Sequence, residues 1–192
     1  MKKILFMALS LMTFCVVNAQ NVKDEISKSV ERAQNLQKLC DDYKTCGDAD
    51  VDGYGNSMRD AAVFAIANSE QLENLYKREI GESKDGVQDV TVKKPTLDEW
   101  LALASTIAGE GVKIKDATVK ASGAATAAKN LASAALDVKN PLKAAKAVKT
   151  AKAATAVVTF GTKAAPILAE ESAAQAKAVK QIIDMLKSGK NL

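Results

Sequence analysis

From Asn140 to Leu186 the chain carries an almost unbroken run of Ala, Lys, Val and Leu. As one α-helix this run would extend ~70 Å, because its residues are strong or adequate helix formers. Asn140 suits an N-cap, and Pro141 suits the first helical position, where no amide donor is needed. Ser188-Gly189 supplies the stop, with Lys187 in the last turn facing the negative end of the helix. These signals predict a helix over about 141–188. Gly161 and Pro166 interrupt it and predict a kink near 162–166, since Pro166 has no N–H for the Thr162 carbonyl. Such a helix cannot bury its apolar face alone, so the rest of the chain must supply the partner surface.

The two faces of this helix differ. Advancing about 100° per residue, Ala144, Ala147, Val148, Ala151, Thr155 and Val158 share one side. Their small side chains let a second backbone approach closely. Lys143, Lys146, Lys149 and Lys152 fan across the other half, and beyond Thr155 they give way to Val157, Phe160, Ile167 and Leu168. A helix that turns apolar almost all round is covered on two sides, or meets a membrane or a partner.

Three further helices are expected. Ile26, Val30, Ala33, Leu36, Cys40 and Tyr43 recur at three- and four-residue steps and predict helix 1 over about 22–43. Ser57 and Asp60, spaced as a capping box, open helix 2 over about 57–80, and Gly81 ends it. A polar stretch to Pro95 reads as a loop with a short extended piece around Val87, Val90 and Val92. Thr96 and Glu99 form a second capping box and open helix 3, about 97–136, with a break expected near 109–111 because each glycine costs about 1 kcal/mol in a helix interior. Short connections make neighbours antiparallel. The expectation is an all-α, elongated antiparallel bundle of about four helices, in which the two C-terminal helices form a long hairpin.

Residues 1–19 read as a cleaved export signal. Met1-Lys2-Lys3 is the positive start, Ile4 to Val17 the apolar core, and Val17-Asn18-Ala19 the small-residue cleavage pattern. The rest, 20–192, reads as one helical domain of a periplasmic or secreted protein. Cys40 and Cys46 then fall in a compartment that permits a disulfide. A bridge requires helix 1 to end between them, because six residues of helix separate two side chains by ~9 Å of rise.

Charge divides the chain. Residues 20–112 hold 11 Lys+Arg against 18 Asp+Glu, a net −7; residues 113–192 hold 14 Lys against 5 Asp+Glu, a net +9. The simplest expectation is that the halves pack together and neutralise each other. The alternative is that the basic half meets an acidic partner.

Asp48-Ala49-Asp50-Val51-Asp52-Gly53-Tyr54-Gly55-Asn56 resembles the first nine positions of an EF-hand calcium loop. The resemblance implies calcium, with Asp48, Asp50 and Asp52 as carboxylate ligands, the Tyr54 carbonyl as a further ligand, a water held by Asn56, and Gly53 at the sharp turn. Arg59 stands where the bidentate glutamate belongs, and Gly55 replaces the usual aliphatic eighth residue. The other reading is an acidic turn between two helices.

Catalytic chemistry has little support. The chain has no histidine, the commonest general base near neutral pH. Asp98-Glu99 and Glu170-Glu171 are adjacent pairs whose side chains diverge on a helix, and they read as surface charges. No aromatic residue interleaves the lysines to stack on bases, so nucleic acid is not expected. The sequence therefore predicts an exported, non-catalytic helical protein without a cofactor, structural or interacting with an unknown protein partner or with itself. One alternative is a membrane-associating protein that rests Lys143, Lys146, Lys149, Lys152, Val157, Phe160, Ile167 and Leu168 on an anionic surface. Another is a calcium-responsive binding module.

Overall fold

Four helices make up nearly all of the described chain: α1 (Ala19–Asp41), α2 (Ala49–Glu79), α3 (Leu97–Leu136) and α4 (Pro141–Lys187). The structure is a computed structural model and describes residues 19–82 and 91–189. The predicted export signal lies outside them but for Ala19, as do Val87 and Val90 of the expected extended piece.

Thr96 caps α3 with the full capping box: its hydroxyl accepts from the Glu99 amide while the Glu99 carboxylate accepts from the Thr96 amide at 2.7 Å. Asn140 caps α4 by accepting from the amides of Leu142 and Lys143, with Pro141 in the first turn. Both starts fall where the sequence places them.

The helices run alternately up and down. At one end Val22 and Ile26 of α1 meet Leu72 and Leu75 of α2, Trp100 and Leu103 of α3, and Val179 and Ile182 of α4. In the middle Leu36 and Cys40 pack with Met58, Ala61, Ala117, Phe160 and Leu168. At the far end Val51, Ala128, Ala154 and Val157 close the core without a buried residue from α1. Helices α1 and α3 each pack on α2 and α4 but not on each other. The central pair is therefore α2 and α4, with α3 and α4 forming the expected long hairpin.

Close approach of the central pair depends on two glycines. A Cβ on Gly161 would lie 2.5 Å from Cε1 of Tyr54, and one on Gly55 would lie 2.5 Å from Cγ1 of Val157. Each glycine of one helix receives a side chain of the other.

Two expectations need correction. First, α2 starts at Ala49, not Ser57, because Asp48 caps it and Val51 and Tyr54 extend its buried stripe by two turns. Second, α3 runs unbroken through Gly109 and Gly111. Ile107, Glu110 and Ala117 are buried on either side of them, and that packing outweighs the ~2 kcal/mol of lost helix propensity. As expected, α4 is a single helical span that runs through Gly161 and Pro166.

Candidate functional site

Between the two larger apolar clusters lies a polar layer. Glu171 of α4, fully buried, accepts from the Ser29 hydroxyl, from Arg32 Nε at 2.5 Å and from Gln175 Nε2 at 2.6 Å. Ser29 also bonds Ser69 at 2.8 Å, and Gln175 Nε2 reaches the Ala65 carbonyl at 3.1 Å. Arg32 extends the network outward to Glu25 at 2.6 Å and Glu170 at 3.3 Å. Burial works against the Arg32 charge, but Glu171 and Glu25 outweigh it and raise the guanidinium pKa. Burial pushes the Glu171 carboxyl above its usual value, while Ser29, Arg32 and Gln175 pull it back.

A second carboxyl lies in the same layer. Glu110 of α3, also fully buried, accepts from Asn68 Nδ2 at 2.8 Å through one oxygen, and its other oxygen has no hydrogen-bond partner. Burial pushes its pKa up to about 7, with the charge of Glu171 adding to the rise and Asn68 opposing it. Both carboxyls are fully buried inside the bundle.

Sequence reasoning missed this layer and took Glu170-Glu171 for surface charges; Glu171 is an interior group. A signal was present. The buried stripes pass through Ser29 between Ile26 and Ala33, through Ser69 between Ala65 and Leu72, through Glu110 between Ile107 and Ala117, and through Glu171 between Leu168 and Ala178. A polar residue fills one step of each stripe, at a matching height in an antiparallel bundle. Reading Val30 instead of Ser29 into the α1 stripe hid this pattern.

The acidic segment is a helix start instead of a loop. Asp48 Oδ1 accepts from the amides of Asp50 and Val51 at 3.1 Å. Asp52 accepts from the amides of Cys46 at 2.7 Å and Gly47 at 2.8 Å, and these donors hold its pKa below the usual carboxylate value against the effect of burial. Asp50 is exposed on the first turn, favourable beside the positive helix end. The Tyr54 carbonyl lies inside the helical ladder, and Asn56 Oδ1 accepts from the Tyr43 hydroxyl at 2.8 Å. Among the described residues no three carboxyl or thiol side chains converge as metal ligands. The donor set does not fit the calcium loop it resembles.

Cys40 and Cys46 are free thiols, which corrects the expected disulfide. Helix α1 does end between them, but the two sulfurs serve different neighbourhoods. Cys40 packs in the middle cluster, whereas Cys46 lies against the far cluster and its sulfur accepts from the Asp48 amide at 3.4 Å.

The apolar sector proposed for a membrane or partner also needs correction. Phe160 and Leu168 are buried and Ile167 is half-buried beside Leu36 and Cys40 of α1, Val157 is buried against Val51 of α2 and Ala128 of α3, and the Phe160 ring lies tilted against Tyr43 with centroids 4.9 Å apart. The helix is apolar all round because it is covered on two sides. No helix among the described residues is long and apolar enough to cross a membrane.

Lys143, Lys146, Lys149 and Lys152 are all exposed, and none forms an ion pair among the described residues. The expected neutralisation of the two halves is not made by ion pairs there. The contacts that join the halves through charge run from Arg32 to Glu170 and Glu171, opposite in sense to the overall imbalance. These lysines sit on an overhang. The core ends at Ala128 and Ala154, and the α3–α4 hairpin continues past it by roughly two to three turns. Ala135 and Ala151 are buried between its two helices, and the exposed leucines 136 and 142 flank its connection.

The chain matches no family model, no curated protein and no solved structure.

Proposed function

We propose that this chain is an exported, non-catalytic helical-bundle protein of structural or protein-interaction type, and that the overhanging α3–α4 hairpin is the element it presents. The observation that carries the reading is the set of exposed lysines on the first turns of α4, without ion-pair partners among the described residues. They add charge at the already positive end of a helix that has no acidic residue in its first turn. That arrangement does nothing for the helix, and it gives the arm a strong field for an anionic partner. The absence of histidine and the enclosure of Glu110 and Glu171 support a role without catalysis.

Cation-exchange chromatography tests the arm. Replacing Lys143, Lys146, Lys149 and Lys152 with Gln should lower the eluting salt concentration more than replacing the exposed Lys115, Lys163, Lys177 and Lys187. Equal shifts for these two charge-matched variants would overturn the reading.

A further inference from the structure

On the reading that the hairpin is the presenting element, we propose that its tip docks on an anionic lipid surface, with Leu136 and Leu142 entering the interface and the lysines around them contacting lipid phosphates. Leu136 and Leu142 are each 85% exposed, the highest values among the large hydrophobic side chains of the described residues. They lie on either side of the four-residue connection 137–140, at the extreme end of the arm. Residues 129–152 carry six lysines against a single acidic residue, Asp137. Lys139 sits in the connection itself, Lys143 and Lys146 follow on the first turns of α4, and all three are exposed.

The charge complement of this surface is anionic, and its small apolar area decides between partners. Two exposed leucines, with the shallow apolar groove that Leu136 lines beside Ala132, Ala135 and Val148, fall well short of the ~800 Å² that each member of a stable protein pair contributes. A fluid bilayer does not require a matching recess. It rewards a small apolar tip inside a basic ring, because the lysines gather at the negative surface while the leucines enter the boundary below it. The buried Val157, Phe160 and Leu168 take no part, so docking leaves the bundle closed.

The test is co-sedimentation of the chain described here with vesicles of phosphatidylcholine containing phosphatidylserine, and with vesicles of phosphatidylcholine alone. Binding should require phosphatidylserine and should weaken about tenfold or more on raising the salt from roughly 50 to 500 mM. Leu136→Ser with Leu142→Ser should weaken it several-fold, and Lys143→Gln with Lys146→Gln should weaken it about tenfold. Circular dichroism should show unchanged helix in both variants, since all four side chains are exposed. No sedimentation with phosphatidylserine vesicles at low salt overturns the proposal. If the arm still dominates cation exchange in that case, only the lipid inference fails; if the charge-matched variants also elute alike, the arm reading fails with it. A salt-sensitive dimer in light scattering, abolished by the lysine variant and unaffected by vesicles, would overturn lipid docking in favour of a second copy of this chain.

Discussion

Gly55 of α2 and Gly161 of α4 each sit beneath a side chain of the opposite helix. Alanine normally improves a helix interior, but here its methyl group would drive into Tyr54 or into Val157 and Tyr43. Gly161→Ala should therefore destabilise by about 1–3 kcal/mol. Gly123→Ala, where nothing lies within 4 Å of the added carbon, should stabilise by about 0.5–1 kcal/mol. Urea unfolding followed by the fluorescence of Trp100, the single and fully buried tryptophan, measures both. Glu110 yields a second prediction at this scale. Its pKa is raised to about 7 in the fold, against an ordinary value of 4.5. The native state then holds the proton more tightly than the unfolded chain, so the group's contribution is fully present below pH 4.5 and is lost as pH rises through 7. Glu110→Gln mimics the protonated form. It should leave stability near pH 5 little changed and raise it by about 2–3 kcal/mol at pH 8. Parallel pH dependences for the two proteins would refute this.

At the scale of the element, α2 shows how one segment supports two readings. Asp48, Asp50 and Asp52 alternate as calcium ligands do, and they also suit an N-cap and first turn facing the positive helix end. The deciding signal was the apolar step from Val51 to Tyr54 to Met58, which keeps the three- and four-residue spacing of the rest of α2. Because Asp48 and Asp52 already accept from backbone amides and Asp50 stands apart from them on the exposed first turn, millimolar calcium should shift the melting temperature no more in the native protein than in Asp50→Asn. A calcium-dependent rise lost in that variant would restore the metal reading. The starts of α3 and α4 were legible because Thr96, Glu99, Asn140 and Pro141 act within one turn of sequence. Continuity through Gly109 and Gly111 was not legible, because it depends on neighbours distant in the chain. The lysine face was legible as a face; that it overhangs the core depends on where α1 and α2 stop. Burial of Phe160 likewise depends on the arrival of α1.

For the molecule as a whole, the polar layer joins three helices through Ser29, Arg32, Ser69, Glu171 and Gln175, and Asn68 brings α3's Glu110 into it. Removing one member exposes the cost of the others. Arg32→Ala would leave the buried Glu171 carboxyl without its cation, and should cost about 3–5 kcal/mol in chemical denaturation. Loss of less than 1 kcal/mol would mean that Arg32 is not holding that carboxyl. The layer also supplies what the surrounding alanines lack. Stripes of small side chains look alike from one turn to the next, and α4 could settle against its neighbours at several heights with similar packing. A slide of one turn, about 5.4 Å, would take Glu171 from Arg32 and Ser29 and strand it among apolar groups. The layer works as a detent on a sliding rod: it sets the height at which the bundle locks onto α4, and so how far the lysine-bearing end stands clear of it.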